Sequence, residues 1–261
     1  TLRARLGQSP FPWVSANLFD PTTGRRVPWV ASHRFVTVGG LRVAVVGYMT
    51  KHFKRVIKAE HTRGLQVRPG VAAIRDVLDS VRAARPDIVI LLAHEGGSCD
   101  GRSCRGEIFE LAEELGPGGV DLIVAGHTHA RIADDAGSIP IMMARSNGRA
   151  IGIADFVRKP GGGWQVAVQV VPAVPDGVTP DAALTSLVEQ AHRRSSKQID
   201  RVVARLRAPM KRAPGEHPLG NFVADAQRNV TRADVALMNS GGVRADLAAG
   251  PVTFGALFAV M

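Results

Sequence analysis

No apolar stretch in the sequence approaches the roughly 20 residues that a membrane-spanning helix requires, which excludes such a span within these 261 residues. Residues 1–10 lack the basic, apolar, small-residue pattern of a secretory signal. Because the first residue is Thr1 rather than Met, that absence leaves the compartment open. Aromatics are scarce at 5%, few interleave with basic residues, and no base-reading motif appears, so a nucleic-acid partner is not expected. Acidic residues number 23 against 33 Lys and Arg, a net charge of +10. The basic residues are scattered, with only short clusters such as Arg193-Arg194 and Lys211-Arg212, and read as generic surface charge. Internal repeats are absent. Cys99 and Cys104 are the only cysteines and flank the short loop Asp100-Gly101-Arg102-Ser103. They would form a disulfide in an oxidising compartment, and free thiols or metal ligands in a reducing one. What is present is a 45% hydrophobic chain, long enough for one large core or two modest ones.

The pattern along the chain is that of a layered α/β protein. Phe35 to Val38, the pair Gly39-Gly40, and Leu41 to Gly47 predict a hairpin. Val71, Ile74, Val77, Leu78 and Val81 have helical spacing, and Pro86 ends that helix. Asp87 to Ala93 is a continuous apolar run of the kind covered on both sheet faces. A helix over Glu107 to Leu115 leads to a similar strand at Val120 to Ala125. Further strands are expected at Ile139 to Ala144, Ile151 to Val157 and Trp164 to Val171, the last two joined by Gly161-Gly162-Gly163. The Pro-rich stretch Pro172 to Pro180 marks a boundary. Thr179-Pro180 predicts the start of a linker helix running to about Asp200. A strand at Val202 to Leu206, a helix at Leu219 to Asn229 and a strand at Val235 to Met238 then open a second α/β unit.

Two of the buried strands run into histidine: one into His94-Glu95-Gly96-Gly97, the other into Gly126-His127-Thr128-His129. Ligands in open α/β sheets collect at the carboxyl ends of strands. Imidazole suits zinc, manganese, iron or nickel, and the adjoining glycines permit close backbone approach. His94, His127 and His129 are therefore candidate metal ligands. His33, His52, His61, His192 and His217 lack this placement and are assigned no role. A hydrolytic two-metal centre also needs an anionic bridging ligand between ions ~3.5–4 Å apart, and nothing suitable precedes the hairpin.

At these residues the chain resembles the calcineurin-like metallophosphoesterases fused to a 5'-nucleotidase C-terminal domain, the two-domain UDP-sugar hydrolase and 5'-nucleotidase family. Phe11-Pro12-Trp13-Val14-Ser15-Ala16-Asn17 is similar to the family's FPxLxAN strand, and Gly40 to Thr50 to its GKVGVIG segment. Leu92-Ala93-His94 is similar to its L-T/S-H motif, and Ala125 to His129 to its GHTH motif. Leu219 to Arg228 resembles the LGNLIADAMR helix, and Met238 to Leu247 the NxGGIR loop. Six short motifs in the correct order are far more specific than any one of them.

The resemblance implies a metallophosphatase β-sandwich flanked by helices over residues 1–174, a linker helix over 175–200, and the start of a 5'-nucleotidase C-terminal α/β domain over 201–261. It implies two divalent ions, zinc, manganese or similar, with His127 and His129 serving different ions. Asn239, Gly242 and Arg244 match the nucleotide-gripping loop, and an Arg fork after a glycine pair suits a phosphate ligand. Asn17 falls outside the ligand set and reads as structural, and Asn221 and Asp225 as helix polars. The family's Asp-x-His and Gly-Asn-His-Asp/Glu motifs, which carry the bridging Asp and the catalytic His–Asp pair, are missing from this chain. The expectation is a fragment whose catalytic residues lie upstream of Thr1 and whose base-clamping aromatics follow Met261, inactive by itself. The arginine the family places before its LGN motif is replaced by Ala213 to Glu216, with Lys211 and Arg212 slightly earlier. Exported members are common in the family, which favours the Cys99–Cys104 disulfide and a periplasmic or extracellular protein. The implied activity is hydrolysis of phosphate esters, with nucleoside monophosphates ahead of 2',3'-cyclic nucleotides and nucleotide-sugars. Sulfur-ester hydrolysis on the same metal core, or a non-catalytic basic binding module with a decayed metal site, are the alternatives.

Overall fold

Strand β1 (His33–Val38) turns into β2 (Leu41–Met49) through Gly39 and Gly40, whose φ angles of 57° and 79° are both left-handed. A two-residue hairpin turn that follows the strands' twist demands this, and two glycines supply it without steric cost. The computed structural model describes residues 2–174 and 176–261. Its internal contacts divide it into two units, Thr1–Pro175 and Asp176–Met261.

The first unit is built on a six-stranded sheet. After the hairpin come α1 (Ala72–Ala83), β3 (Ile88–His94), α2 (Glu107–Leu115), β4 (Leu122–Ala125), β5 (Arg131–Ala136) and β6 (Ile139–Ala144). The strand order is β1-β2-β3-β4-β6-β5; the central four are parallel and each edge strand is antiparallel to its neighbour. Helix α1 buries Ile74, Val77, Leu78 and Val81, and α2 buries Ile108, Phe109, Leu111, Ala112 and Leu115. Both stripes enter one core with Ala44, Val46, Tyr48, Leu91, Ala93, Ile123, Ile141 and Met143. Fully burying one such large side chain contributes about 1.5–3 kcal/mol, so this layer is the main source of the unit's stability.

The opposite sheet face carries a hairpin of β7 (Ala150–Arg158) and β8 (Trp164–Pro172). Gly152 sits against Met142, where an added Cβ would lie 3.0 Å from its Sδ. Trp164 Nε1 donates to Asp87 O at 2.6 Å, and Arg158 pairs with Asp87. Cover on this face is incomplete, which corrects one sequence expectation. In β3, Leu91 and Ala93 are buried but Leu92 is 47% exposed, so the apolar run is not covered on both faces.

A further expectation changes in detail. Phe11 to Asn17 forms no regular strand; it makes one isolated bridge, Val14 to Ala31. Asn17 holds that segment by its fully buried side chain, donating to Met49 O and Arg68 O and accepting from Met49 N and Ser15 Oγ. Strand β5 was not anticipated at all.

The second unit begins with α3 (Ala182–Ile199), which packs against α5 (Phe254–Val260) at Ile199 and Gly255. Its N-cap is Asp181, whose Oδ1 accepts from Leu184 N at 2.9 Å, and not the expected Thr179. Pro180 thereby precedes the cap, where its missing N–H costs nothing. Strand β9 (Val202–Leu206) pairs antiparallel with β10 (Gly250–Thr253). Helix α4 (Pro218–Thr231) is capped by buried His217, whose Nδ1 accepts from Gly220 N at 3.0 Å. A small core joins Leu219, Val223, Val243, Leu247, Val252 and Val260. The strand expected at Val235 to Met238 is irregular chain with no strand partner among the described residues; Val235 and Leu237 are 71% and 89% exposed.

Candidate functional site

Parallel strands β2, β3 and β4 end at one edge of the sheet, and the register brings their last residues side by side. Met49 lies opposite His94, and Ala93 opposite Ala125, one residue before Gly126. His94 therefore stands beside His127 by construction of the sheet. Their rings meet edge to face with centroids 5.0 Å apart. His127 and His129 both have left-handed backbones, φ 76° and 58°, and project from a tight loop. Such conformations in non-glycine residues cost about 1–3 kcal/mol each and cluster at functional sites.

The loops bearing these histidines are fastened to each other. Thr128 Oγ1 donates to Gly97 O at 2.6 Å and accepts from Gly97 N at 3.1 Å. Gly96 packs so closely on Thr128 that a methyl there would overlap Thr128 Cγ2. Gly97 and Gly106 are pressed together, and Ile108 N donates to Gly96 O at 3.0 Å, which ties the His94 loop to the start of α2. Cys99 and Cys104 are disulfide-bonded across a two-residue ladder, Ser98–Cys99 with Cys104–Arg105. Asp100 closes their turn by accepting from Ser103 N and Arg102 N, which holds its carboxyl below the usual range.

Burial, then the neighbouring His127 and His129, lowers the pKa of His94, against an opposing pull from Glu95. A neutral imidazole is the form that ligates metal. Glu95, 1% exposed, accepts from Thr50 Oγ1 at 2.9 Å, Lys51 N at 3.1 Å and Gly96 N at 3.3 Å. Its oxygens are engaged in holding the end of β2, so it does not supply the bridging carboxylate. Glu95 and Thr128 are the residues that sequence reasoning missed. A charged residue directly after a strand-end histidine was the available signal for Glu95, and nothing indicated its partner 45 positions earlier.

The three imidazoles do not close into a single three-ligand cluster. Among the described residues, the group of three potential ligands within 4.8 Å is Cys99, Cys104 and Asp134, and its sulfurs are consumed by the disulfide. The donor set fits the nitrogen half of a two-metal site, without its bridging carboxylate.

In the second unit, Asn239 O accepts from Gly242 N at 3.0 Å in a 3₁₀ turn spanning Ser240–Gly242. A Cβ at Gly242 would overlap Met238 Cε and crowd Asn239 Oδ1, so both side chains pack closely on this glycine. Arg244 N donates to Val260 O at 2.8 Å. Its exposed side chain makes no hydrogen bond or ion pair among the described residues, while the neighbouring Asp246 is taken by Arg212 at 2.9 Å. A cleft of about 460 Å³ lies beside this turn, lined by Glu216, His217, Asn221, Met238 and Val243 among others, though not by Asn239, Gly242 or Arg244.

Residues 198–261 match the 5'-nucleotidase C-terminal domain family. Over 260 residues the chain is 26% identical to Endonuclease YhcR of Bacillus subtilis strain 168, covering 95% of this chain and 20% of that protein. It is 24% identical to the 5'-nucleotidase of Vibrio parahaemolyticus serotype O3:K6, covering 94% of this chain and 51% of the relative. The crystal structure of a 5'-nucleotidase precursor from Thermus thermophilus shares the fold with a TM-score of 0.82 at 19% identity, over 100% of this chain and 54% of that one. The chain thus spans a fifth to about half the length of these relatives. The matches bear out the resemblance to the 5'-nucleotidase family and the α/β fold. No helix among the described residues is long and apolar enough to cross a membrane.

Proposed function

We propose that this chain serves metal-dependent hydrolysis of phosphate esters, with nucleoside 5'-monophosphates as leading substrates and two divalent ions, zinc, manganese or similar, as cofactors. The convergence of His94 and His127 from adjacent parallel strands, with His129 on the same strained loop, carries the reading. Divalent ions at such a centre supply Lewis-acid polarisation of a phosphoryl oxygen. This chain's own residues do the rest of the local work. His94, His127 and His129 hold metal, with the last two on different ions. Glu95 and Thr128 fix the two loops, so little reorganisation remains when ligands bind. Asn239, Gly242 and Arg244 grip the nucleotide, and the unpaired guanidinium of Arg244 is the group for its anionic part. The disulfide suits an oxidising compartment, periplasmic or extracellular.

The test is elemental analysis of the natural protein after metal stripping and reloading. About two divalent ions per chain are expected, with His127→Ala and His129→Ala each depleting a different one. No bound metal after reloading would end the proposal.

A further inference from the structure

Three arginines, Arg145 and Arg149 on one loop and Arg131 on the strand beside it, surround one hollow of about 340 Å³ in the first unit. Arg131, Arg145 and Arg149 line it together with Ala150 and Pro172, and no acidic residue is among its walls. Strand pairing gathers them. Arg131 pairs with Ala144, which brings it beside Arg145, and Ala150 pairs with Pro172, which sets Arg149 at the same rim. Each is anchored. Arg131 Nε and Nη2 both donate to Val170 O, at 3.2 and 2.8 Å. Arg145 N donates to Ala130 O at 2.9 Å, and Ala130 directly follows His129. Arg149 O accepts from Ala173 N at 3.1 Å.

Guanidinium groups stay charged at any physiological pH. None of these three forms an ion pair among the described residues. The wall is therefore a concentration of positive charge with no ion-paired carboxylate among the described residues. Arg131 has five N–H donors and spends two on one carbonyl, so donors remain to face the hollow. The loop also holds two non-glycine residues in left-handed conformations, Arg145 at φ 55° and Asn147 at φ 58°. The hollow has room for roughly ten waters at about 30 Å³ each, ample for a tetrahedral oxyanion.

We propose that Arg131, Arg145 and Arg149 form an anion-binding site for a phosphate group, next to the histidine loop and separate from it. Guanidinium forks match phosphate oxygens in pairs. The site stands without any metal; only its role as a second phosphate subsite for a substrate held by the histidines rests on the phosphoesterase reading. The anion can be free phosphate or a phosphodiester of a longer substrate, and its chemistry is the same.

Titration calorimetry on the natural protein, kept metal-free with EDTA, tests this with two probes: inorganic phosphate and trithymidylate lacking terminal phosphates. Saturable binding of at least one probe is expected. Arg145→Ala/Arg149→Ala should weaken it about ten- to a hundredfold, since both side chains are exposed and the change leaves the Arg131 anchor intact. Arg193→Ala/Arg194→Ala, which removes the same charge from α3, should leave it unchanged. Tighter binding of trithymidylate identifies a phosphodiester as the ligand; tighter phosphate identifies the free anion. No saturable binding of either probe, an unaffected Arg145/Arg149 double variant with an unaltered melting curve, or equal loss in both double variants overturns the site. Because metal is absent throughout, a failed metal-loading experiment on the histidines does not bear on this result.

Discussion

The contact between Gly96 and Thr128 can be tested by adding one methyl group and then making room for it. In Gly96→Ala the new Cβ overlaps Thr128 Cγ2 and lies 3.2 Å from Oγ1 and 3.3 Å from Cβ. Gly96 has no left-handed φ, so backbone strain does not enter. Thr128 is β-branched, with χ1 fixed by its two bonds to Gly97. Relief requires it to rotate, which breaks both bonds, or requires the loops to part. Overpacking costs about 1–3 kcal/mol, and the two hydrogen bonds contribute about 1 kcal/mol each. The expected loss is about 2–4 kcal/mol, allowing for water reaching the exposed Thr128. Trp13, Trp29 and Trp164 all lie in the first unit, so tryptophan fluorescence during urea unfolding reports that unit alone. Thr128→Ser removes Cγ2 while keeping the hydroxyl, so Gly96→Ala/Thr128→Ser should recover at least half of the loss. A single variant within about 0.5 kcal/mol of wild type, inside ordinary surface scatter, or a double variant with no recovery, would refute the clamp.

Other outcomes follow from the same geometry. The 261 residues expressed alone should show negligible hydrolysis of AMP, because the Asp-x-His and Gly-Asn-His motifs are not among them; robust metal-dependent turnover would show that the site is mapped wrongly. Intact mass should rise on reduction by about two hydrogen atoms, with no free thiol alkylated beforehand, since Cys99 and Cys104 are joined. Arg244→Ala in the natural protein should lower kcat/KM for AMP about ten- to a hundredfold and leave a small aryl phosphate nearly unchanged; an equal loss for both removes Arg244 from the nucleotide site. Tyr48 is the sole tyrosine, and burial raises its pKa to about 12 against the opposing Gly70 N–H bond. The neutral phenol is the favoured form, so its contribution to stability is complete below pH ~10 and lost as pH rises toward 12. Absorbance at the phenolate band in folded protein should therefore stay flat until pH ~11, and normal titration near pH ~10 would contradict the burial.

Where local chemistry decides the outcome, the fold was legible. The Gly39-Gly40 turn needs two left-handed residues, and few other pairs supply them. The helix at Glu107–Leu115 has apolar residues at each core-facing position and glycine at either end. Strand β5 failed to register because it is an edge strand: only Ile132 and Ala136 are buried, and Arg131, Asp134 and Asp135 face solvent. Val235 to Met238 failed in the opposite sense. Its residues have the β-propensity of a strand, but propensity forms no ladder without a partner, and β9 takes β10 instead.

The candidate site divides along the same line. His94, His127 and His129 could be picked out because each sits at or just beyond a strand's end, and parallel neighbours must finish at the same edge. Position along the chain was enough to place His94 beside His127. The groups that hold them there act across gaps that no local pattern bridges: Glu95 reaches back 45 residues to Thr50, and Thr128 reaches 31 residues to Gly97. The arginine hollow is the extreme case. Arg145 and Arg149 are neighbours on one loop, but Arg131 joins them only through the register of β5 with β6. A one-residue slip in the β5–β6 pairing would send Arg131 to the other face and away from the two loop arginines. The histidines thus depend on where strands stop, and the arginines on how strands are paired. Only the first of these can be read without the structure.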